Sequence, residues 1–255
     1  MNRYTRNIER IEFVVTMACT GKCRHCSEGD HSHCTGHIDT DAAVRAVRDI
    51  CSAYRIRSLM TFGGEPLLFP DVVCAIHRAA AEQGIETRQL ITNGYFSKDP
   101  RRIGEVARRL AESGVNQLLL SVDAFHQETI PLEPVLCFAK CVAETDISVK
   151  LAPAWLVSRE DDNPYNIRTR EVLAEFRDLD IPVGKGNVVF ASGNALINFP
   201  EYFGENPDLS NPYDDDPLDI RTVSFTPEGS VDGMNGNIYR TGILEIIEQY
   251  KPERR

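Results

Sequence analysis

The sequence predicts an α/β fold built on a parallel sheet, and two observations carry that prediction. From residue 11 onward, short β-branched or apolar runs alternate with longer stretches whose apolar residues recur at three and four, and the alternation repeats five times. The strand runs are continuously apolar, as strands are when a sheet is covered on both faces or closed on itself.

The runs are IEFVVT (11–16), SLMTF (58–62), TRQLIT (87–92), QLLLSV (117–122), SVKLAPAW (148–155) and NVVFAS (187–192). Between them one helix face is lined by Val44, Val47, Cys51 and Tyr54, the next by Val73, Ile76 and Ala80, and the third by Ile103, Val106 and Leu110. Val135, Phe138 and Val142 line the fourth, and Val172, Phe176 and Leu179 the fifth, while Thr40 and Gly84 read as start and stop signals for two of these helices. Right-handed crossovers join such units. Six units satisfy both an open doubly wound sheet and a partial barrel, and in either the functional loops follow the carboxyl ends of the strands.

After residue 199 the rhythm breaks. The stretch FPEYFGENPDLSNPYDDDPLD holds seven acidic residues, no Lys or Arg, and four prolines, and reads as an irregular acidic loop, with Tyr202 and Tyr213 in it. RTVSFTPEGSVDG then reads as two strands around a Pro-Glu-Gly turn, and TGILEIIEQY as a closing amphipathic helix. Two segments are therefore expected, a barrel or sheet domain over 1–198 and an extension over 199–255.

At 255 residues the chain can bury a core without disulfide staples, and its net charge of −10 argues against nucleic acid as a main partner. No apolar run approaches the roughly 20 residues of a membrane span. The opening MNRYTRNIER has no apolar core of a signal peptide, so a cytoplasmic protein without a membrane partner is expected. Eight cysteines all precede residue 142, a distribution that suggests metal or redox chemistry at one end.

Cys19, Cys23 and Cys26 stand in eight positions directly after the first strand. Thiolates at this spacing can converge on one centre. They could hold three irons of a four-iron cluster, leaving one iron without a protein ligand. With Cys34, or with one of His31, His33 and His37, they could instead close a tetrahedral zinc site. As a third possibility they are simply buried reduced cysteines. At the second strand end, Gly63 and Gly64 allow close backbone approach and Glu65 can accept hydrogen bonds from an amine. Asn93 at the third, and Ser121 and Asp123 at the fourth, offer the amide, hydroxyl and carboxylate that suit a sugar with vicinal hydroxyls.

Together, the Cys-x3-Cys-x2-Cys loop and the Gly-Gly-Glu-Pro turn resemble the radical S-adenosylmethionine (radical SAM) superfamily, over about residues 10–195. The resemblance implies a partial (β/α)6 TIM-type barrel. It also implies that Cys19, Cys23 and Cys26 ligate a [4Fe-4S] cluster whose fourth iron chelates S-adenosyl-L-methionine. His25 would pack near the adenine; Gly63, Gly64 and Glu65 would hold the methionyl amine; Asn93, Ser121 and Asp123 would lie near the ribose and carboxylate. The GKGNVVFASG segment would run beside the adenine. One electron, from a carrier such as flavodoxin or ferredoxin, would then release a 5'-deoxyadenosyl radical that abstracts hydrogen from a substrate.

The tail resembles the hairpin and helix of the SPASM or Twitch extension without its cysteines; Met234 and Asn235 stand about where its first ligand would be, which implies a single cluster. SVDAFHQETIP is similar to radical enzymes that modify ribosomal peptides, and His126 within it is a candidate acid or base. A peptide or small-molecule substrate is expected, with a glycyl-radical-enzyme activase and a non-enzymatic zinc or iron-sulfur module as alternatives.

Overall fold

A computed structural model describes residues 2–252, so residue 1 of the first expected segment and residues 253–255 of the second lie outside the described residues. Its strands are β1 (Arg10–Thr16), β2 (Ser58–Gly63), β3 (Thr87–Thr92), β4 (Gln117–Leu120), β5 (Ser148–Leu151), β6 (Ala154–Trp155), β7 (Asn187–Val188) and β8 (Thr222–Phe225). Its α-helices are α1 (Thr40–Ala53), α2 (Pro70–Glu82), α3 (Pro100–Glu112), α4 (Ala124–Gln127), α5 (Leu132–Ala143), α6 (Pro164–Ala174), α7 (Gly193–Asn198) and α8 (Ile243–Gln249).

Six strands form one parallel sheet in the order β5-β4-β3-β2-β1-β8. This is the arc of a partial TIM-type barrel. Along it, Ile11, Phe13, Leu59, Leu90 and Leu118 are fully buried in the core shared with the helices. The alternate residues point to the concave face and are less covered. Glu12, Met60, Gln89, Gln117 and Ser148 share one register row there, tied by Arg10 to Glu12 and by Gln89 to Gln117. Two residues nearer the carboxyl ends, Val14 pairs with Phe62 and Leu119 with Ile91, and these four are half-buried.

Of the two helix signals, Gly84 ends α2 as expected, whereas Thr40 is the first residue of α1 and the capping side chain is that of the residue before it. Asp39 caps α1, its carboxylate accepting from the Ala42 N–H at 2.8 Å. Gly84 follows α2 with φ +71°, and the N–H groups of Gly84 and Ile85 close on the carbonyls of Ala81 and Ala80. The fifth helical stretch is shorter than its periodicity suggests: α6 ends at Ala174, and Leu179 belongs to a separate 3-10 turn.

Two strand expectations change at the edges of the arc. The run at 148–155 splits at Ala152 and Pro153, where proline has no N–H for a ladder. The sixth run contributes only β7, which pairs with β6 in a small second sheet; Leu151 at the end of β5 makes an isolated parallel bridge to Val183. At the other edge, the first strand of the expected hairpin is β8, which joins β1 in parallel register. The hairpin itself is reduced to the antiparallel bridges Phe225 to Val231 and Ser230 to Asn237. α8 packs on α1. No helix is long and apolar enough to cross a membrane among the described residues.

Candidate functional site

The loop after β1 carries Cys19, Cys23 and Cys26 at the carboxyl end of the sheet, each free and partly buried. Burial is the main cause that pushes the Cys19 thiol up to about 11, and it also pushes Cys23 and Cys26 up. Two of the thiols also feel the charge of the others: Cys26 raises Cys19, and Cys19 and Cys26 raise Cys23. Three soft donors that repel one another as thiolates fit a polynuclear cation, which would take up the charge that burial disfavours.

Two backbone contacts hold this loop. Gly64 and Glu65 donate their N–H groups to the carbonyls of Thr16 and Ala18, both at 2.8 Å. A Cβ on Gly63 would lie 2.3 Å from Thr16 O, and one on Gly64 2.3 Å from Ala18 O. The glycine pair therefore lets one backbone press on another, beneath the cysteines. From the opposite side, the start of α7 grips the loop. Ser192 Oγ donates to Ser27 O at 3.0 Å, the Asn194 N–H to Cys26 O at 2.9 Å, and the Asn194 carboxamide to Cys23 O and Gly29 O. Gly193 is tight there as well, since its Cβ would fall 2.3 Å from Ser27 O.

Glu65 is fully buried. Its carboxylate accepts from the Leu67 N–H (2.8 Å), the Thr92 hydroxyl (2.7 Å) and the Asn93 N–H (2.8 Å), while burial lifts its pKa to about 7. It joins the ends of β2 and β3. Asn93, 5% exposed, accepts the Tyr95 N–H on Oδ1 and directs Nδ2 at Cys19 Sγ, 3.6 Å away, and at the Thr20 hydroxyl. Ser121 is half-buried, and its N–H donates to Thr92 O at 2.9 Å.

Asp123 lies just past β4 and is fully buried. The sequence places it on a strand face with Ser121, facing a sugar. Here the strand has ended at Leu120, and Asp123 caps α4 with its carboxylate turned into the protein. It accepts from the His126 N–H (2.9 Å), His126 Nδ1 (2.8 Å) and the Ala154 N–H (3.0 Å). Burial works against its charge, but the His126 ring outweighs it and holds the carboxyl down to about 2; Asp123 in turn raises His126. The His25 ring packs 4.8 Å from that of His126 and 4.7 Å from that of Phe125. Burial lowers His25 to about 4, and its Nδ1 has no hydrogen-bond partner.

The structure thus gathers Cys19, Cys23, Cys26, Gly63, Gly64, Glu65 and Asn93 into one unit and His25, Asp123 and His126 into an adjoining one. Of the histidines after the cysteines, His31 comes to 3.5 Å from Cys26 Sγ, while His37 packs on Phe69 and Cys34 and His33 are exposed. Ser192 and Gly193 end the GKGNVVFASG segment expected beside the adenine, and here they hold the cysteine loop; Asn194 is the site residue that sequence reasoning missed, since a Gly-Asn pair after a strand run is a faint signal on its own.

The family model of the radical SAM superfamily matches residues 13–142. The chain belongs to this superfamily. Its cofactors are accordingly the family's [4Fe-4S] cluster and S-adenosylmethionine. Among curated proteins the chain is similar to the GTP 3',8-cyclase of Clostridium perfringens strain SM101, 26% identical over 201 residues, which are 72% of this chain and 59% of the relative. It is also similar to the GTP 3',8-cyclase of Chlorobaculum tepidum, 27% identical over 127 residues, 50% of this chain and 36% of that one. The radical SAM chain thus spans about three-fifths or less of the length of these relatives. Its fold is similar to Streptococcus suis SuiB bound to the precursor peptide SuiA, with TM-score 0.62 and 13% identity over 97% of this chain and 66% of that one. It is similar too to anSMEcpe with bound AdoMet, with TM-score 0.59 and 14% identity over 94% of this chain and 80% of that one.

Proposed function

We propose that Cys19, Cys23 and Cys26 hold the [4Fe-4S] cluster as its protein ligands and that the chain abstracts hydrogen from a peptide or small-molecule substrate with an apolar reacting region. The observation that carries the ligand assignment is the loop itself: three free thiols whose backbone is clamped by the Gly63-Gly64 turn on one side and by Asn194 on the other. When bound, the cluster and S-adenosylmethionine supply one-electron chemistry that ends in a 5'-deoxyadenosyl radical.

The chain's own residues position and shield that chemistry. Gly63, Gly64 and Glu65 fix the floor under the cysteines, and the neutral His25 ring, packed on Phe125 and His126 with a buried, unpartnered Nδ1, adds an aromatic group within the cysteine loop. The half-buried row of Val14, Phe62, Ile91 and Leu119 lies below this rim on the concave face. Apolar walls suit a substrate C–H, because they keep water and its side reactions out of the site. His126, oriented by Asp123, stands at the rim as an acid or base. Residues 1–198 form the catalytic unit in this reading, with 199–255 as an extension that adds β8 to its sheet. One cluster and an external one-electron donor such as flavodoxin or ferredoxin complete it.

Anaerobic reconstitution with iron and sulfide, followed by dithionite and S-adenosylmethionine, tests the reading. The expected result is about four irons per chain and release of 5'-deoxyadenosine, both lost in Cys19→Ala. Stoichiometric zinc and no 5'-deoxyadenosine would favour the structural-metal alternative. The names of the curated relatives favour GTP as a second substrate reading. Deuterated GTP and deuterated apolar peptides, offered separately, decide between the two by which one labels 5'-deoxyadenosine.

A further inference from the structure

We propose that Asn93 raises the reduction potential of the cluster by donating an N–H···S bond to Cys19. The inference rests on the assignment of Cys19, Cys23 and Cys26 as the cluster ligands.

The orientation of Asn93 is determined by its neighbours. Oδ1 accepts the Tyr95 N–H at 2.8 Å, so the amide cannot be flipped without losing that bond. Nδ2 therefore faces Cys19 Sγ at 3.6 Å and the Thr20 hydroxyl at 3.3 Å. The backbone N–H is held by Glu65 Oε2 at 2.8 Å, which anchors the residue to the turn beneath the cysteines. At 5% exposure the carboxamide has little competition from water.

The three thiols are not equivalent. Cys19 receives Nδ2 of Asn93 and, at 3.4 Å, the Gly21 N–H. Cys26 meets His31 at 3.5 Å. Cys23 instead feels the acidic groups of Asp123 and Glu128. Reduction of an iron-sulfur centre places more negative charge on its sulfur ligands. A donor aimed at a ligand sulfur stabilises the reduced state more than the oxidised one and so raises the potential. Asn93 is the side-chain amide placed to do this at Cys19, and it acts as a positioning residue rather than a contact to the substrate.

The test compares the reconstituted full chain with Asn93→Leu, which keeps the branched shape and removes the donor, and with Asn93→Ser, which is too short to reach Cys19. Iron and sulfide content establish loading, an EPR-monitored redox titration without S-adenosylmethionine gives the midpoint, and equilibrium dialysis gives the affinity for S-adenosylmethionine. The expected result in both variants is a lower midpoint, with the oxidised-to-reduced ratio at the wild-type midpoint rising roughly three- to tenfold, tenfold being about 59 mV for a one-electron couple. Affinity for S-adenosylmethionine is read beside the midpoint because the family resemblance also places Asn93 near that cofactor, and a lowered midpoint supports the inference whether or not the affinity changes. If Asn93→Leu loses the cluster, the midpoint of Asn93→Ser decides alone. An unmoved midpoint in a loaded variant overturns the inference and leaves the ligand assignment standing, and so does an unmoved midpoint combined with weakened affinity, which would make Asn93 a cofactor contact. A wild-type chain that takes up no iron overturns the ligand assignment itself.

Discussion

His126 and Asp123 form a close ion pair in the site, with Nδ1 2.8 Å from a fully buried carboxylate. Replacing the acid by an amide leaves a buried imidazole without its counter-charge and a single oxygen for the N–H groups of His126 and Ala154. Asp123→Asn should therefore cost on the order of 3 kcal/mol, measured by chemical denaturation of the metal-free protein. His126→Gln, which preserves a donor toward Asp123, should cost less. A loss under about 1 kcal/mol in Asp123→Asn would show that the pair is not carrying the end of β4. At this scale the sequence was legible where spacing is local: three cysteines on one loop are neighbours in any fold. It was not legible where a polar group's partner lies far along the chain. Asp123 reads as a strand-end carboxylate facing a ligand, yet Ala154, 31 residues on, takes one of its oxygens.

Among the elements, the Gly63-Gly64 turn is a close backbone junction of the site. In Gly64→Ala the new methyl would meet two backbone carbonyls, 2.3 Å from Ala18 O and 2.6 Å from Met17 O, neither of which can swing aside. The expected loss is about 3 kcal/mol, or roughly 6 to 12 °C in melting midpoint for a chain of this size, with poor iron retention on reconstitution. Gly84→Ala is the control. Its φ of +71° carries the left-handed cost, but nothing lies near the added methyl, so about 1 kcal/mol is expected. Equal losses in the two variants would mean that close backbone approach is not what Gly64 provides. Helices and the first five strand positions were legible because each has its own periodicity. The sixth strand run was not, since pairing partners decide whether an apolar run becomes a strand, and β8 occupies the sheet edge beside β1.

Across the whole molecule, the buried titratable groups oppose one another on either side of neutral pH. His25 and His77 are held to about 4 and about 3 by burial, from an ordinary 6.5, so the native state loses stability as pH falls through that range. Glu65 is raised from 4.5 to about 7, and His126 and the three cysteines are raised as well. A raised group contributes stability below its unfolded value and loses it as pH climbs through the folded one. Above pH 6.5 the two lowered histidines are silent, while Glu65, His126 and then the thiols all act in the same direction. Between 4.5 and 6.5 two histidines outweigh one glutamate. The melting midpoint of the metal-free protein should peak near pH 6.5 and fall steadily toward pH 9, and a midpoint still rising from 7 to 9 would contradict this account. Iron loading should flatten the alkaline limb, because the bound thiolates no longer titrate.

Local pattern by itself determined an α/β fold with a parallel sheet, the chain positions of its first five strands and a thiol-rich loop at a carboxyl end, because each rests on contacts or periodicities within a few residues; the partial barrel and the cluster entered through the resemblance to the radical SAM superfamily. Only the tertiary structure decided how that loop is held. The Gly63-Gly64 backbone beneath it, Asn93 against Cys19 and Asn194 over Cys23 come from strand ends and a helix start up to 171 residues away. Such contacts depend on which loops the closing sheet brings to one rim, and no local pattern records that.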